Sequence, residues 1–261
     1  MTRQLAADIL WVSAAVVLCA AVYFYHSYSK DSRALRRLAT HLTAGVTRAD
    51  ERVRALNSFV YGHGSFERNE SYYVLPALRA TPIQVLDRGG DCSDKSRLLA
   101  AMLEQIGVKT SLAMLYGCAG CPAVHTVVLA RTESGTIVAD PVYDLMFPNG
   151  TGGYLDVHRM IDDPRVLTSR LGALRASRGP ADRIADYDES DHRYDFVTTI
   201  NWAKYGWLQG LARGLTMLAL EPRLIRRPAV LENPKLLLAS LSLIGAVLAA
   251  VLALACRRSG V

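Results

Sequence analysis

Gly89-Gly90-Asp91-Cys92-Ser93-Asp94 is the stretch on which the reading of this chain turns. Two glycines break the chain, and the residues after them open a helix. Leu98, Leu99, Met102, Leu103 and Ile106 then form one apolar stripe, and Gly107 is a good C-terminal stop. Val108 to Tyr116 reads as a strand, followed by the tight loop Gly117-Cys118-Ala119-Gly120-Cys121-Pro122. Val124 to Arg131 reads as a second strand, Glu133-Ser134-Gly135 as a turn, and Thr136 to Ala139 as a third strand ending at Asp140-Pro141. The order is helix, strand, hairpin, with the cysteine on the helix and a histidine and an aspartate on the strands.

That distribution has chemical content. The partial positive charge at a helix start stabilises a thiolate, and Cys92 sits there; Asp91 and Asp94 oppose it only if they point at the sulfur. A nucleophilic thiol needs a base within hydrogen-bond reach and a third group to orient that base. His125 begins one strand and Asp140 ends its neighbour. A turn at residues 132 to 135 places His125 nearly opposite Asp140, so the two can meet on one face of the sheet. No pattern shows how the cysteine helix approaches that hairpin. The backbone N–H of Cys92 is the natural first donor to an oxyanion. Gln84 is the candidate for a second, against its alternative as a surface polar residue before a turn.

The same stretch carries a rival. Cys118-x-x-Cys121-x-x-x-His125 has metal-like spacing with ligands that suit zinc, and a closed site would consume His125. Only Cys92 is an evident fourth ligand and there is no second cysteine pair, so no metal is assigned. Cys118 and Cys121 read instead as a disulfide tightening the loop, or as free thiols. His41, His63 and His192 have no partner the sequence can name and read as solvated surface residues.

Upstream, Thr47 caps an expected helix with Asp50 and Glu51 in its first turn and Val53, Leu56, Phe59 and Val60 on its apolar face. It ends in Gly62-His63-Gly64, and a polar loop with Asn69, Glu70 and Ser71 follows. Downstream, residues 150 to 185 give no sharp signal. Asp186 to Asp195, acidic with aromatics, reads as a surface loop. Residues 202 to 230 mix Trp202, Tyr205 and Trp207 with Arg213, Arg223 and Arg226, which suits a helix lying at a membrane interface or, equally, one packed on the core.

The 261 residues hold one good domain and extras, and with 51% hydrophobic and 21% charged residues disorder is not the default. Two uncharged runs lie near the ends. Ile9 to Tyr25 spans about 25 Å as a helix and Leu236 to Ala255 about 30 Å, the thickness of a bilayer core. A cleaved signal peptide is the alternative for the first run, but no clean small-x-small cleavage site precedes His26. Lys30, Arg33, Arg36 and Arg37 after the first run and Arg223, Arg226, Arg227 and Lys235 before the second favour a cytoplasmic central region, whereas a Cys118–Cys121 bridge favours an oxidising one. The side stays open. Much of the +6 net charge sits beside these runs, where anionic lipid attracts it, and no RNA-binding, Walker or dinucleotide signature is present. The expected organisation is a tail over 1–8, a transmembrane helix over 9–25, a central domain over 31–200, a juxtamembrane segment over 201–235, a second transmembrane helix over 236–255 and a tail over 256–261.

The set Gly89-Gly90-Asp91-Cys92, Ser96-Arg97-Leu98-Leu99-Ala100-Ala101-Met102-Leu103, Ala123-Val124-His125-Thr126-Val127-Val128 and Val138-Ala139-Asp140-Pro141 resembles the transglutaminase-like superfamily of cysteine enzymes. The resemblance covers roughly residues 45 to 145. It implies an α+β, papain-like core of N-terminal helices plus an antiparallel sheet, here flanked by two transmembrane helices of a bacterial cytoplasmic membrane protein. It also implies Cys92 as nucleophile, His125 as base and then acid, Asp140 as the group that holds the imidazole, and no cofactor. The expected function is a membrane-anchored thiol enzyme cleaving or transferring an amide or peptide bond, with a protein or peptide substrate, membrane lipid around it, and no nucleic acid. Protein partners are not readable. Because the superfamily includes inactive members, the alternative is a non-catalytic scaffold or partner-binding module in a membrane complex.

Overall fold

A computed structural model describes residues 3–68, 72–202, 205–218 and 222–258. It is an α+β chain with a four-stranded antiparallel sheet and two long apolar helices. Two compact units divide it: one holds Leu35–Ser71 and Pro82–Arg227, the other Met1–Ala34, Tyr72–Thr81 and Pro228–Val261. The first helix, α1 (Arg3–Leu42), runs unbroken from the first apolar run through the basic stretch after it. The polar loop expected at Asn69, Glu70 and Ser71 lies outside the described residues.

In the larger unit, α2 (Ala49–Gly62) buries Val53, Leu56 and Val60, as its periodicity requires. Thr47 is not its cap. The helix begins one residue later than that reading needs, after Arg48, whose side chain makes no capping bond. Glu133 caps it from the β-hairpin instead, accepting from the Ala49 N–H at 3.1 Å. β1 (Ser65–Phe66) pairs in parallel with β2 (Gly89–Gly90), and α3 (Pro82–Arg88) lies between them in the chain. α4 (Cys92–Gln105) follows, with Leu98, Leu99, Met102 and Leu103 all but fully buried. Each such side chain contributes roughly 1.5–3 kcal/mol when removed from water. Gly107, at φ 84°, adopts the left-handed conformation that ends the helix.

The sheet runs β5-β4-β3-β6, formed by β3 (Thr110–Tyr116), β4 (His125–Thr132), β5 (Gly135–Ala139) and β6 (Arg193–Thr198), all antiparallel neighbours. Val127, Leu129 and Val138 join one hydrophobic cluster with Met160 of α5 (Val157–Asp162), Leu171 of α6 (Arg165–Arg178) and Tyr194 of β6. Residues 150 to 185 therefore supply two helices to the core, although each is too short or too weakly patterned to announce itself. The run Asp186 to Asp195 is not a surface loop throughout: Tyr187 and Tyr194 are buried, and β6 begins at Arg193. Asp186, Asp188 and Asp191 are exposed while Tyr187 and Tyr194 go in, which defeats a reading by composition.

α7 (Gly206–Met217) buries none of its side chains, and Trp207, Leu211 and Met217 stand exposed. The core-packing alternative for this segment is overturned, because a core helix hides its apolar face.

The smaller unit pairs α1 with α8 (Pro234–Arg258). Ala7, Ala14 and Ala21 on α1 and Ala239, Ala246 and Ala253 on α8 are buried at seven-residue intervals. Small side chains at that spacing let two helix backbones approach closely. Asp31 meets Lys235 at 2.5 Å toward one end of the pair, and Asp8 meets Arg257 at 3.1 Å toward the other. Val12, Val16, Leu248 and Val251 are more than half exposed on the outer faces. Both helices are long and apolar enough to cross a membrane. The runs 9–25 and 236–255 lie inside them.

Candidate active site

The cysteine is placed by the two glycines before it. Gly89 has φ 86°, and a Cβ there would fall 2.3 Å from the Ser65 carbonyl oxygen across the parallel bridge. Only glycine fits both the backbone and the space. Asp91 then caps α4, accepting from the Asp94 N–H at 2.9 Å, so Cys92 is the first helical residue with its N–H among the unpaired donors of the helix start. Asp94 turns away to a buried ion pair with Arg97. The two carboxylates beside the cysteine are thus taken up, one in the cap and one by a guanidinium.

Two further bonds fix α4. Lys95, wholly buried, donates its Nζ to the carbonyls of Val60 at 2.9 Å and His63 at 2.8 Å, binding the last unpaired acceptors of α2. Burial, and then the nearby Arg183, pull its ammonium down to about 8. Ser96 donates from Oγ to the Thr126 carbonyl at 2.8 Å, tying the cysteine helix to the strand that carries the histidine. This is the approach of helix to hairpin that no sequence pattern displayed.

His125 starts β4 opposite Leu115. The hairpin pairs Val128 with Ala139, so the next residue after Ala139 falls opposite Val127, on the face His125 shares. Asp140 accordingly meets His125: Nε2 to Oδ2 is 2.7 Å, with both side chains buried. The other carboxylate oxygen accepts from the Val142 N–H at 2.9 Å, and the Asp140 backbone exchanges two bonds with Leu145. The carboxylate is held at both oxygens, and the tautomer with Nε2 protonated follows. Burial alone would depress the imidazolium of His125. The charge and hydrogen bond of Asp140, followed by those of the Cys92 side chain, outweigh it and raise the group to about 10. With Nε2 committed to Asp140, Nδ1 is the nitrogen left for Cys92. Cys92 itself is half-buried beside the core cluster.

Sequence reasoning missed the aromatic surround. His192 is not a solvated surface residue: its ring stacks on His125 with centroids 4.6 Å apart and planes at 24°. Tyr143 stands 5.5 Å from His125, and Tyr187 meets both Tyr143 at 4.8 Å and His192 at 4.9 Å, edge to face. Burial, with Asp140 and Cys92 adding, pushes the Tyr143 hydroxyl up to about 12. The available signal was the pair of aromatics Tyr187 and Tyr194 on either side of His192 in an otherwise acidic run. His41 and His63 are exposed; the His63 ring stacks on Phe59 at 4.9 Å, and its Nε2 lies 2.9 Å from the Leu86 carbonyl.

Cys118 and Cys121 are joined in a disulfide in the loop between β3 and β4. Their sulfurs bond each other and His125 bonds Asp140, so the zinc-like spacing assembles no shared site. Gln84 sits half-buried on α3, which packs against α4.

No protein family matches the chain, and no curated protein resembles it significantly. Two solved structures align with parts of it. A protein of Cytophaga hutchinsonii provisionally named a cysteine protease aligns over 42% of this chain and 37% of its own, at 17% identity and a TM-score of 0.36. A protein of Parabacteroides distasonis provisionally named a protease aligns over 49% of this chain and 26% of its own, at 16% identity and a TM-score of 0.34. The chain thus spans well under half the length of either.

Proposed function

We propose that the chain is a membrane-anchored cysteine enzyme with a transglutaminase-like core, acting on an amide or peptide bond through a thioester at Cys92. The observation that carries this reading is the buried His125–Asp140 bond of 2.7 Å, with the Cys92 side chain acting on the same imidazole from a helix start.

Those groups support a two-stage acyl transfer. The Cys92 thiolate adds to the substrate carbonyl while His125, held as imidazolium by Asp140, keeps the proton. The developing oxyanion takes the Cys92 N–H, with Gln84 as the candidate second donor. His125 then gives its proton to the leaving amine, the C–N bond breaks, and a thioester remains on Cys92. An incoming water loses its proton to His125 as it attacks the thioester carbonyl, which frees the acid and restores the thiolate. An amine in place of water gives transamidation. Hydrolysis is the preferred outcome, and no step needs a cofactor.

The disulfide favours the oxidising side of the membrane for the central domain, against the count of flanking basic residues. The exposed apolar residues of α7 suit the same membrane's interface.

The test is to incubate the full-length protein in detergent with a mixed peptide library, with and without an added primary amine, and follow products by mass spectrometry. The reading expects new termini or amine adducts that vanish in Cys92→Ala. Identical product profiles for wild type and Cys92→Ala would overturn it in favour of a scaffold.

A further inference from the structure

The ring packed on His125 belongs to a residue that the acyl-transfer chemistry does not use. His192 reaches the site from the loop before β6, where its backbone N–H donates to the Asp188 carbonyl at 3.0 Å and its own carbonyl accepts from the Tyr187 hydroxyl at 3.2 Å. Its side chain is half-buried, and Nδ1 is buried without a hydrogen-bond partner among the described residues. Tyr187 meets it edge-on at 88°, and the His192 ring plane lies 24° from that of His125.

We propose that His192 is a positioning residue of the Cys92 site, a neutral ring laid over the His125 imidazolium that excludes water from its face and holds it in line with Asp140 and Cys92. The proposal rests on the triad reading above. Three observations support it. The stack is close and nearly parallel, so the face of one ring covers the face of the other. The groups around His192 leave it uncharged: burial, and then the charge on His125, outweigh Asp140, Asp188 and Asp191 and bring it down to about 4. Tyr143 and Tyr187 complete the surround and are themselves uncharged at neutral pH. A neutral aromatic face is attracted to a cation, whereas a second imidazolium at this distance would repel it. Excluding water also lowers the local dielectric, which strengthens the bonds from the imidazolium to Asp140 and to the thiolate.

The substitution series is His192→Ala, which removes the ring, and His192→Phe, which keeps a ring that cannot titrate. Cys92 alkylation by iodoacetamide is followed across pH 4 to 9 on the full-length protein, with His125→Ala as the reference for a site without its base. The expected result is a His192→Ala rate about tenfold lower near pH 7, in line with the loss of one cation–π contact and its water exclusion. Its profile is displaced to higher pH, and His192→Phe returns both toward wild type. Should His192→Ala follow the wild-type profile while His125→Ala is slow, the triad stands and the positioning role is wrong. A folded His192→Phe that stays as slow as His192→Ala overturns it too. If wild type and His125→Ala react alike, the triad reading itself has failed and the role falls with it.

Discussion

His125 Nε2 and Asp140 Oδ2 lie 2.7 Å apart inside a closed shell of protein, one residue at the first position of β4 and the other just past the end of β5. The hairpin register puts them on one face, and two backbone bonds to Leu145 keep the aspartate from following its strand away. The remaining Asp140 oxygen is fixed by Val142 N–H. Both oxygens and the backbone of Asp140 are thus held, which is what an orienting carboxylate needs to favour one tautomer.

Replacing Asp140 by Asn keeps the shape and removes the charge. The imidazolium of His125 loses its largest support and falls back toward the usual histidine range. Turnover on any substrate found is expected to fall by roughly 10⁴, the size of the loss when the orienting carboxylate of a catalytic triad becomes an amide. A kcat within about twofold of wild type would show that Asp140 is structural.

Stability should depend on pH through three groups with different signs. His125 is raised from 6.5 to about 10, so it contributes stability that is whole below pH 6.5 and drains away as pH rises toward 10. His192 is lowered from 6.5 to about 4, so the unfolded chain binds the extra proton and stability is lost as pH falls from 6.5 toward 4. Lys95, lowered from 10.5 to about 8, works against the alkaline loss above pH 8. Melting curves in detergent should peak near pH 6.5, fall between 6.5 and 8 in wild type, and lose that fall in His125→Ala. A wild-type Tm flat from pH 6.5 to 8 would contradict the assignment.

Lys95→Met keeps the stem and removes the three N–H donors. The buried Val60 carbonyl and the His63 carbonyl at the C-cap of α2 then lose this partner, at a cost of about 2 kcal/mol. The lowered Tm should appear alongside preserved helix content by circular dichroism. An unchanged Tm would mean that water replaces the ammonium.

The Cys118–Cys121 bridge tests the proposed placement of the central domain on the oxidising side of a membrane. In intact cells both sulfurs should resist maleimide until a reductant is added, while Cys92 needs none. Labelling of all three without reductant would place the domain in a reducing compartment.

The residues of the candidate site were legible because their signals are local. Gly89-Gly90 forces the turn, Cys92 opens a helix, and the hairpin turn sets where His125 and Asp140 fall. The bonds that assemble them were not, because Ser96 to Thr126 and Lys95 to α2 join residues some thirty positions apart with no periodicity to mark them. Thr47 misled for a related reason: Glu133, distant in the chain, does the capping. His192 was hidden by composition, since an acidic run with aromatics looks solvated until β6 pairs with β3 and carries the preceding loop against the site.

The most direct test of the central claim needs no substrate. Full-length protein is treated with iodoacetamide at pH 6, and mass spectrometry follows modification of Cys92 in wild type and His125→Ala. Ordinary thiols, with a pKa of about 8.5, are largely unreactive there. The account predicts rapid modification in wild type and slow modification in the variant, because the imidazolium between Asp140 and Cys92 maintains the thiolate. Equal, slow modification in both would contradict it and leave the Cys92 helix, the hairpin and their bonds as a scaffold.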